Sequence, residues 1–587
     1  MESGNPHREP HALKLLQRSV AITPRGGTFV ICIALTLICV SWARAQDGPD
    51  ESSGARSEYG RGYDEGYKAG LRAAAAAKSG GQSATVAAGA KPKAVDGGGQ
   101  NPPNGPAAIA ASSTTAPASN APANQELVPK VKSIWEELTT PGDKDQDTVF
   151  HHSNTSPYWL SAQSNFVAQM HPRFHADYSG PNSFGHAEEQ AVSKVITLFT
   201  GFQLNDSTEM VLDAESSGWS GLSQALGLGA MVNLDAVRNP SLSAEPYLAR
   251  LWLRKVIALS DDTVEIERSP LGLLTTLPAR RIDIHFGKMT LPDFFDINSV
   301  GGDSHMQFLN WAVDNNPAWD YAADTRGYTY AAVFEYEDRN WAARFGEALE
   351  PTEANGDTLE WNPRHAHSEN FEVEYHPQLI PNRFGAIRFL YYMNYANMGN
   401  YHQAIANFER LKALGKNIKV PNIDEHYQVV SLKYGFGLNM EQELTDTLRV
   451  YSRAGWNEGQ HESWAYTECD AHVSFGGDLR GDWWGRRKDK FGVAFVMGGL
   501  SANHRRYLSL GGLGFILGDG ALSYGPEQVM ESYYNFPLPF QRGMFGAFDI
   551  QYINNPGYNR ARGPSWYSEC DCMLNSESSA SGKTVSF

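Results

Sequence analysis

Arg281-Ile282-Asp283-Ile284-His285-Phe286 alternates a charged or polar side chain with an apolar one at every step. Successive side chains of a strand point to opposite faces, so Ile282, Ile284 and Phe286 share one face and Arg281, Asp283 and His285 the other. The same period recurs downstream. Glu372, Glu374 and His376 alternate with Phe371, Val373 and Tyr375, and Arg388 and Asn394 with Ile387, Phe389, Tyr391, Met393 and Tyr395. Lys433, Asn439, Glu441 and Glu443 alternate with Leu432, Tyr434, Phe436, Leu438 and Met440. A soluble sandwich alternates too, so strand number and connection lengths decide between the two architectures.

Marking each such run gives about sixteen strands, near 160–170, 194–204, 208–216, 247–258, 280–289, 328–336, 341–349, 369–377, 384–395, 430–443, 447–456, 465–476, 491–499, 528–536, 544–553 and 582–587. Many are about ten residues long, the length a tilted strand needs to cross a bilayer, and the total is even. Connections at 205–207, 337–340, 378–383 and 445–446 are tight, whereas 217–246, 290–327, 350–368, 396–429 and 500–527 are long. Short periplasmic turns and long external loops are the signature of outer-membrane barrels. Connections 259–279 and 477–490 are longer than this rule prefers, and 457–464 is shorter. The expected fold is all-β, a transmembrane antiparallel β-barrel of about sixteen strands, preceded by a signal peptide and a disordered Ala/Gly/Pro-rich segment. The Gly-rich stretch from Gly499 to Pro564 then holds strands fourteen and fifteen between two external loops.

Upstream of the barrel, Lys14, Arg18 and Arg25 lead an apolar run over Thr28 to Val40, and Ala43-Arg44-Ala45 fits a small-residue cleavage site. The run is short of the roughly 20 residues that a membrane helix needs. The domain reading is therefore a signal peptide at 1–45, a low-complexity periplasmic segment at 46–130, a periplasmic lead-in at 131–159 and the barrel at 160–587. Residues 46–125 are mostly Ala, Gly, Ser and Pro and bury too little apolar surface to offset the entropy of ordering them. With 66 acidic and 49 basic side chains the net charge is -17, which argues against a nucleic-acid partner. Cys469, Cys570 and Cys572 are too few and too badly spaced for a disulfide framework or a zinc site.

Backbone groups cannot stay unpaired in lipid, so a membrane sheet closes on itself, its apolar face toward lipid and its charged face toward the lumen. The lumen set is expected to carry both signs: Arg250, Arg254, Arg281, Arg388, Lys433, Arg449 and Arg453 against Glu209, Asp213, Glu335, Glu372, Glu374, Glu441 and Glu443. Opposed across a channel, such charges order water and polar solutes; individually each also fits a solvated wall residue. The loop 290–327 is the richest in candidate ligands, with Asp293, Asp296, Asn298, Asp303, His305, Gln307, Asn310, Trp311, Asp314, Asn315, Trp319, Asp320, Asp324 and Arg326. Amides and carboxylates bind sugar hydroxyls and indoles cover the pyranose face, so this loop folded inward would make a selective constriction.

No cofactor, metal or catalytic set is expected. Gly511 to Gly520 lacks a following Lys-Ser or Lys-Thr and a βαβ frame, so it reads as a loop needing positive φ. Pro172 separates His171 from His175, His365 and His367 lack a third ligand, and no Gly-x-Ser-x-Gly elbow occurs.

From about Ser161 to Pro564 the chain resembles the carbohydrate-selective (OprB-like) porins of bacterial outer membranes. The matching stretches are Phe174-His175-Ala176-Asp177-Tyr178-Ser179-Gly180-Pro181-Asn182-Ser183, Phe286-Gly287-Lys288 leading into Asp293-Phe294-Phe295-Asp296, Gln307-Phe308-Leu309-Asn310-Trp311 and Gly455-Trp456-Asn457-Glu458-Gly459. Glu527, Glu531, Tyr533-Tyr534, Asp549, Gln551, Asn555-Pro556-Gly557-Tyr558-Asn559 and Arg562-Gly563-Pro564 complete the set. The resemblance implies a sixteen-stranded barrel that passes glucose and similar small sugars by facilitated diffusion and is not an enzyme. Its partners would be small carbohydrate solutes, outer-membrane lipid and, through a terminal Phe587, the barrel insertion machinery. The chain departs from the pattern at its end, where Ser565 to Ser581 is polar and only Gly582 to Phe587 reads as a closing strand. A general porin for other solutes and, in a different class, a secreted soluble glycan-binding protein or hydrolase are the alternative readings.

Overall fold

The computed structural model describes residues 155–575, apart from 220, 237–241, 243, 425–429 and 540–542. The signal peptide, the low-complexity segment, most of the lead-in and Phe587 lie outside the described residues. Sixteen antiparallel strands form one closed barrel. In chain order they are β1 (Tyr158–His171), β2 (Glu189–Asn205), β3 (Thr208–Trp219), β4 (Tyr247–Ala258), β5 (Arg281–Met289), β6 (Thr329–Asp338), β7 (Trp341–Leu349) and β8 (His367–Tyr375). They continue as β9 (Gly385–Ala396), β10 (Ser431–Glu443), β11 (Leu448–Asn457), β12 (Ala471–Gly481), β13 (Arg486–Gly499), β14 (Glu527–Pro537), β15 (Met544–Asn554) and β16 (Ser565–Asn575). Each strand pairs with its sequence neighbours, and β1 closes on β16 with Gln163 opposite Asn575 and Met170 opposite Ser568. Closure pairs every strand edge, which hydrocarbon demands.

The alternation in β5 sorts as its sequence dictates. Arg281, Asp283 and His285 are buried on the inner face, whereas Phe286 is 70 % exposed on the outer one. Phe389, Phe436, Phe548, Ile550 and Trp566 add to an exposed apolar outer surface. An apolar band of this kind around a closed barrel suits lipid and excludes the soluble alternative. Among the described residues, no helix is long and apolar enough to cross a membrane.

Three strand expectations need correction. The closing strand is β16, not 582–587: Ser565, Tyr567 and Glu569 point inward while Trp566, Ser568 and Cys570 point outward. Period two is present there, but small polar outward residues disguise it. The strand placed at 465–476 runs over β12 instead, because Trp464, Tyr466, Thr467, Glu468 and Asp470 are buried in the preceding loop. Between β12 and β13 the chain turns tightly through Asp482–Trp484, so the suspected long connection at 477–490 disappears. Of the other two irregular connections, the short one at 457–464 lengthens to 458–470 once β12 starts at Ala471, and 259–280 contains a short hairpin (Thr263–Glu265 with Thr276–Pro278) and tucks against the wall. There Glu209 of β3 accepts the backbone N–H groups of Leu273 and Leu274 at 2.6 and 3.0 Å.

Most of the buried apolar residues form one cluster between the inner wall and the long loops. Phe294, Phe295, Val300, Phe308, Val313 and Trp319 from loop L3 (290–328) pack with Trp252, Val333, Leu390, Tyr392, Tyr451 and Tyr533 of the wall. Two wall glycines admit the loop. A Cβ on Gly346 would stand 2.9 Å from the Phe295 ring, and one on Gly437 2.5 Å from the Asn316 amide nitrogen. Either contact is shorter than side chains tolerate, so the absent methyl is what lets L3 approach.

Candidate functional site

L3 lies inside the barrel because the inner wall supplies partners for its backbone. Glu372 (β8) accepts from Asp296 N at 2.8 Å, and Glu441 (β10) from Ser299 N at 2.9 Å. Glu531 (β14) accepts from Leu309 N at 2.6 Å and Asn310 N at 3.2 Å. Arg453 (β11) is the central tie, donating to Gly301 O and Val313 O at 2.6 Å each and to Asp296 O at 3.0 Å, with its Nε 3.1 Å from the Asp296 carboxylate. Lys433 (β10) lies 3.2 Å from Asp320, whose carboxylate also accepts from the backbone of Trp464 and Ala465 in loop L6 (458–470). Buried backbone groups need such partners, and here charged wall side chains provide them. Within L3, the single helical turn α1 (Trp311–Asp314) is capped by Asn310, whose side chain accepts from Ala312 N.

The wall charges pair between neighbouring strands instead of opposing one another across an open lumen. Register explains this: Arg344 stands opposite Glu335 on one side and Glu372 on the other. It donates to Glu335 at 2.7 Å, Glu372 at 3.0 Å, Glu374 at 2.6 Å and Glu337 at 3.2 Å. Arg388 likewise bridges Glu441 at 2.7 Å and Glu374 at 3.1 Å. Arg254 joins Glu209 and Asp283, Arg281 joins Asp283, and Arg449 joins Asp478.

Between L3 and the β3–β4 wall sits a cavity of about 380 Å³. Of the residues singled out from sequence, Arg250, Asp293, Asp296, Asn298, Asp303, His305, Trp311, Asp314, Asn315, Asp324 and Arg326 line it. Arg254, Arg281, Glu335, Glu372, Arg388, Glu441 and Arg449 do not; they sit in the wall pairs just described. Trp319 and Asn310 are fully buried: the Trp319 indole donates to Asn370 at 2.9 Å, and the Asn310 amide donates to Gln551 at 3.0 Å. Gln307 is turned into the loop, donating to Ser299 O at 2.9 Å. These three therefore shape L3 and do not face the cavity.

Two groups of charged side chains meet the cavity. In the first, Arg250 donates to Asp293 at 2.7 and 2.9 Å, and Glu215 accepts from Tyr328 at 3.0 Å, from Thr197 at 3.0 Å and from Tyr247. The Arg326 guanidinium lies 4.1 Å from the Tyr247 ring centroid, in cation–π contact. In the second, His305 bonds Asp235 at 3.0 Å and Asp303 accepts from His305 N and Met306 N. Burial pushes the Asp314 carboxyl up to about 7, against the pull of Arg453. Trp311 stacks on Tyr466 with rings 5.4 Å apart and 4° from parallel.

The sequence reading did not place Glu215, Tyr247, Tyr328 or Tyr466 in the site. Carrying the β3 alternation two residues beyond Asp213 reaches Glu215. Tyr247 gave no such signal, because a register shift at Asp213/Ala214 re-aims it.

The family model for "Carbohydrate-selective porin, OprB family" matches residues 192–568. Among solved structures, the high-pH structure of Pseudomonas putida OprB is similar with 14 % identity and a TM-score of 0.52, over 71 % of this chain and 94 % of that one. The low-pH structure of the same porin gives 11 % identity and 0.36, over 71 % and 92 %, and a loop-deleted OmpT of Vibrio cholerae 9 % and 0.37, over 72 % and 100 %. No curated protein matches the sequence. The first of these structures shares the fold of the sixteen-stranded barrel, and the family match spans β2 to β16: the chain belongs to the OprB family of carbohydrate-selective porins of the Gram-negative outer membrane.

Proposed function

We propose that this porin passes small neutral sugars, glucose among them, by passive diffusion, with L3 forming the constriction. The observation that supports the reading is the cavity under L3, where aromatic rings of Trp311, Tyr321, Tyr328 and Tyr466 stand beside Arg250, Asp293 and Asp303. Rings cover the apolar face of a pyranose while carboxylates, amides and guanidinium groups bond its hydroxyls. Passage through such a site involves no bond making and needs no energy input. In the same proposal, residues 1–45 direct export and 46–130 form a periplasmic tether.

The test is liposome swelling with glucose and related monosaccharides against size-matched ions, together with sugar block of single-channel current. Arg326→Ala and Tyr247→Ala should weaken sugar block. Equal passage of size-matched ions and sugars, with block unchanged in both variants, would leave a general porin as the better reading.

A further inference from the structure

We propose that the L3 cavity holds the protonated amine of an amino sugar at Asp303 and Asp314, and so prefers amino sugars to neutral ones. The inference rests on the sugar-channel reading above and names its substrate class. Three carboxylates of the cavity have an arginine or lysine partner, and Glu215 accepts from the hydroxyls of Thr197, Tyr247 and Tyr328. Asp293 has Arg250, Asp296 has Arg453 and Asp324 has Lys288 at 3.9 Å, while Asp235 is hydrogen-bonded to the His305 imidazole at 3.0 Å. Asp303 is met by backbone N–H groups, from His305 and Met306. Asp314 is only 6 % exposed; one oxygen accepts from Asn315 at 2.5 Å, whereas Oδ1 receives no hydrogen bond although the residue lines the cavity.

A buried carboxylate oxygen without a donor is costly, and the nearby Arg453 gives its Nη donors to the carbonyls of Gly301, Val313 and Asp296. An ammonium group brings what is missing: three donors and a positive charge. The rings of Tyr321 and Tyr466, with centroids 4.8 Å apart, border the same space and suit both a pyranose face and a cation. A hydroxyl of a neutral sugar can satisfy Oδ1, but it brings no positive charge to hold ionised the Asp314 carboxyl that burial pushes up, or to balance Asp303.

The experiment uses the full-length porin in planar bilayers at pH 7, with glucosamine, N-acetylglucosamine and glucose as blockers of single-channel current. Glucosamine should block at about tenfold lower concentration than N-acetylglucosamine, which keeps the ring but loses the charge. Asp314→Asn should bring that ratio to within about twofold, and Asp303→Asn should lower it as well, each scored only in protein that shows the gel-mobility shift of a folded barrel. Equal block by the two amino-sugar derivatives, with glucose also blocking, overturns the amine site while leaving the sugar channel intact. Block by glucosamine without any by glucose supports the amine site and counts against neutral sugars as substrates. Absence of block by all three overturns both.

Discussion

Arg453→Met isolates the link between the wall and L3. The substitution keeps an apolar stem of similar length but removes the donors to Gly301 O, Val313 O and Asp296 O and the charge facing the Asp296 carboxylate. Breaking a buried ion pair by removing one partner costs about 3–5 kcal/mol, since the other charge stays uncompensated. The backbone ladder of the barrel is untouched, so the loss falls on docking of the loop. At 1.4 kcal/mol per tenfold, undocked L3 should become roughly a hundredfold to a few thousandfold more populated. In planar bilayers the variant should show larger, noisier open-channel currents, and proteoliposomes should admit oligosaccharides that the parent excludes. Arg449→Met, which breaks the pair with Asp478 on the neighbouring strand and leaves the bonds to L3 in place, serves as the comparison. Parent-like conductance, noise and size cut-off in a folded Arg453→Met barrel would refute the assignment of Arg453 as the tie.

Two further outcomes are expected. His504, in the helix α2 (Ala502–Ser509) of the loop after β13, is buried between Asp470 at 3.1 Å and Glu468 at 3.5 Å, and these carboxylates hold its pKa up at about 9 against the desolvation that lowers it. A raised folded-state value means that its stabilisation is complete below the ordinary histidine range near 6.5 and is lost as pH rises through about 9. Amide exchange over 502–508 should therefore accelerate between pH 7 and 10 beyond the intrinsic rate, and His504→Gln should abolish that excess; a wild type with no excess would disprove the contact. For barrel closure, Ala168 stands opposite Cys570, and opposed residues in antiparallel strands lie roughly 4.5–5.5 Å apart, within disulfide reach. Ala168→Cys in a Cys572→Ser background should oxidise to a bond with Cys570, seen by non-reducing peptide mapping; free thiols throughout would mean that another segment closes the barrel.

How far the sequence could be read depends on how local each signal is. The bounds of β4 and β7 were legible to the residue, because turn residues and strong alternation coincide at both ends. In β16 the outward positions Ser568 and Cys570 are small and polar, so a search for large apolar residues passes over it. Eleven of the candidate residues do line the cavity, since loop residues of the right chemistry cluster in one stretch. Tyr247 escaped because a bulge shifts its phase, and Glu372, Glu441 and Arg453 were legible as inward-facing but not as loop anchors. That role depends on pairs such as Asp320 with Lys433, remote in sequence and brought together only by barrel closure.

The glycines that admit L3 bear on the order of assembly. Gly346 lies on β7 and Gly437 on β10, while Phe295 and Asn316, which they accommodate, belong to the connection that precedes both strands. The berth takes shape only when β7 and β10 have paired with their neighbours in the barrel. Docking of L3 at these two positions therefore requires β7 and β10 to be in place, a non-local pairing that the loop's own segment cannot supply.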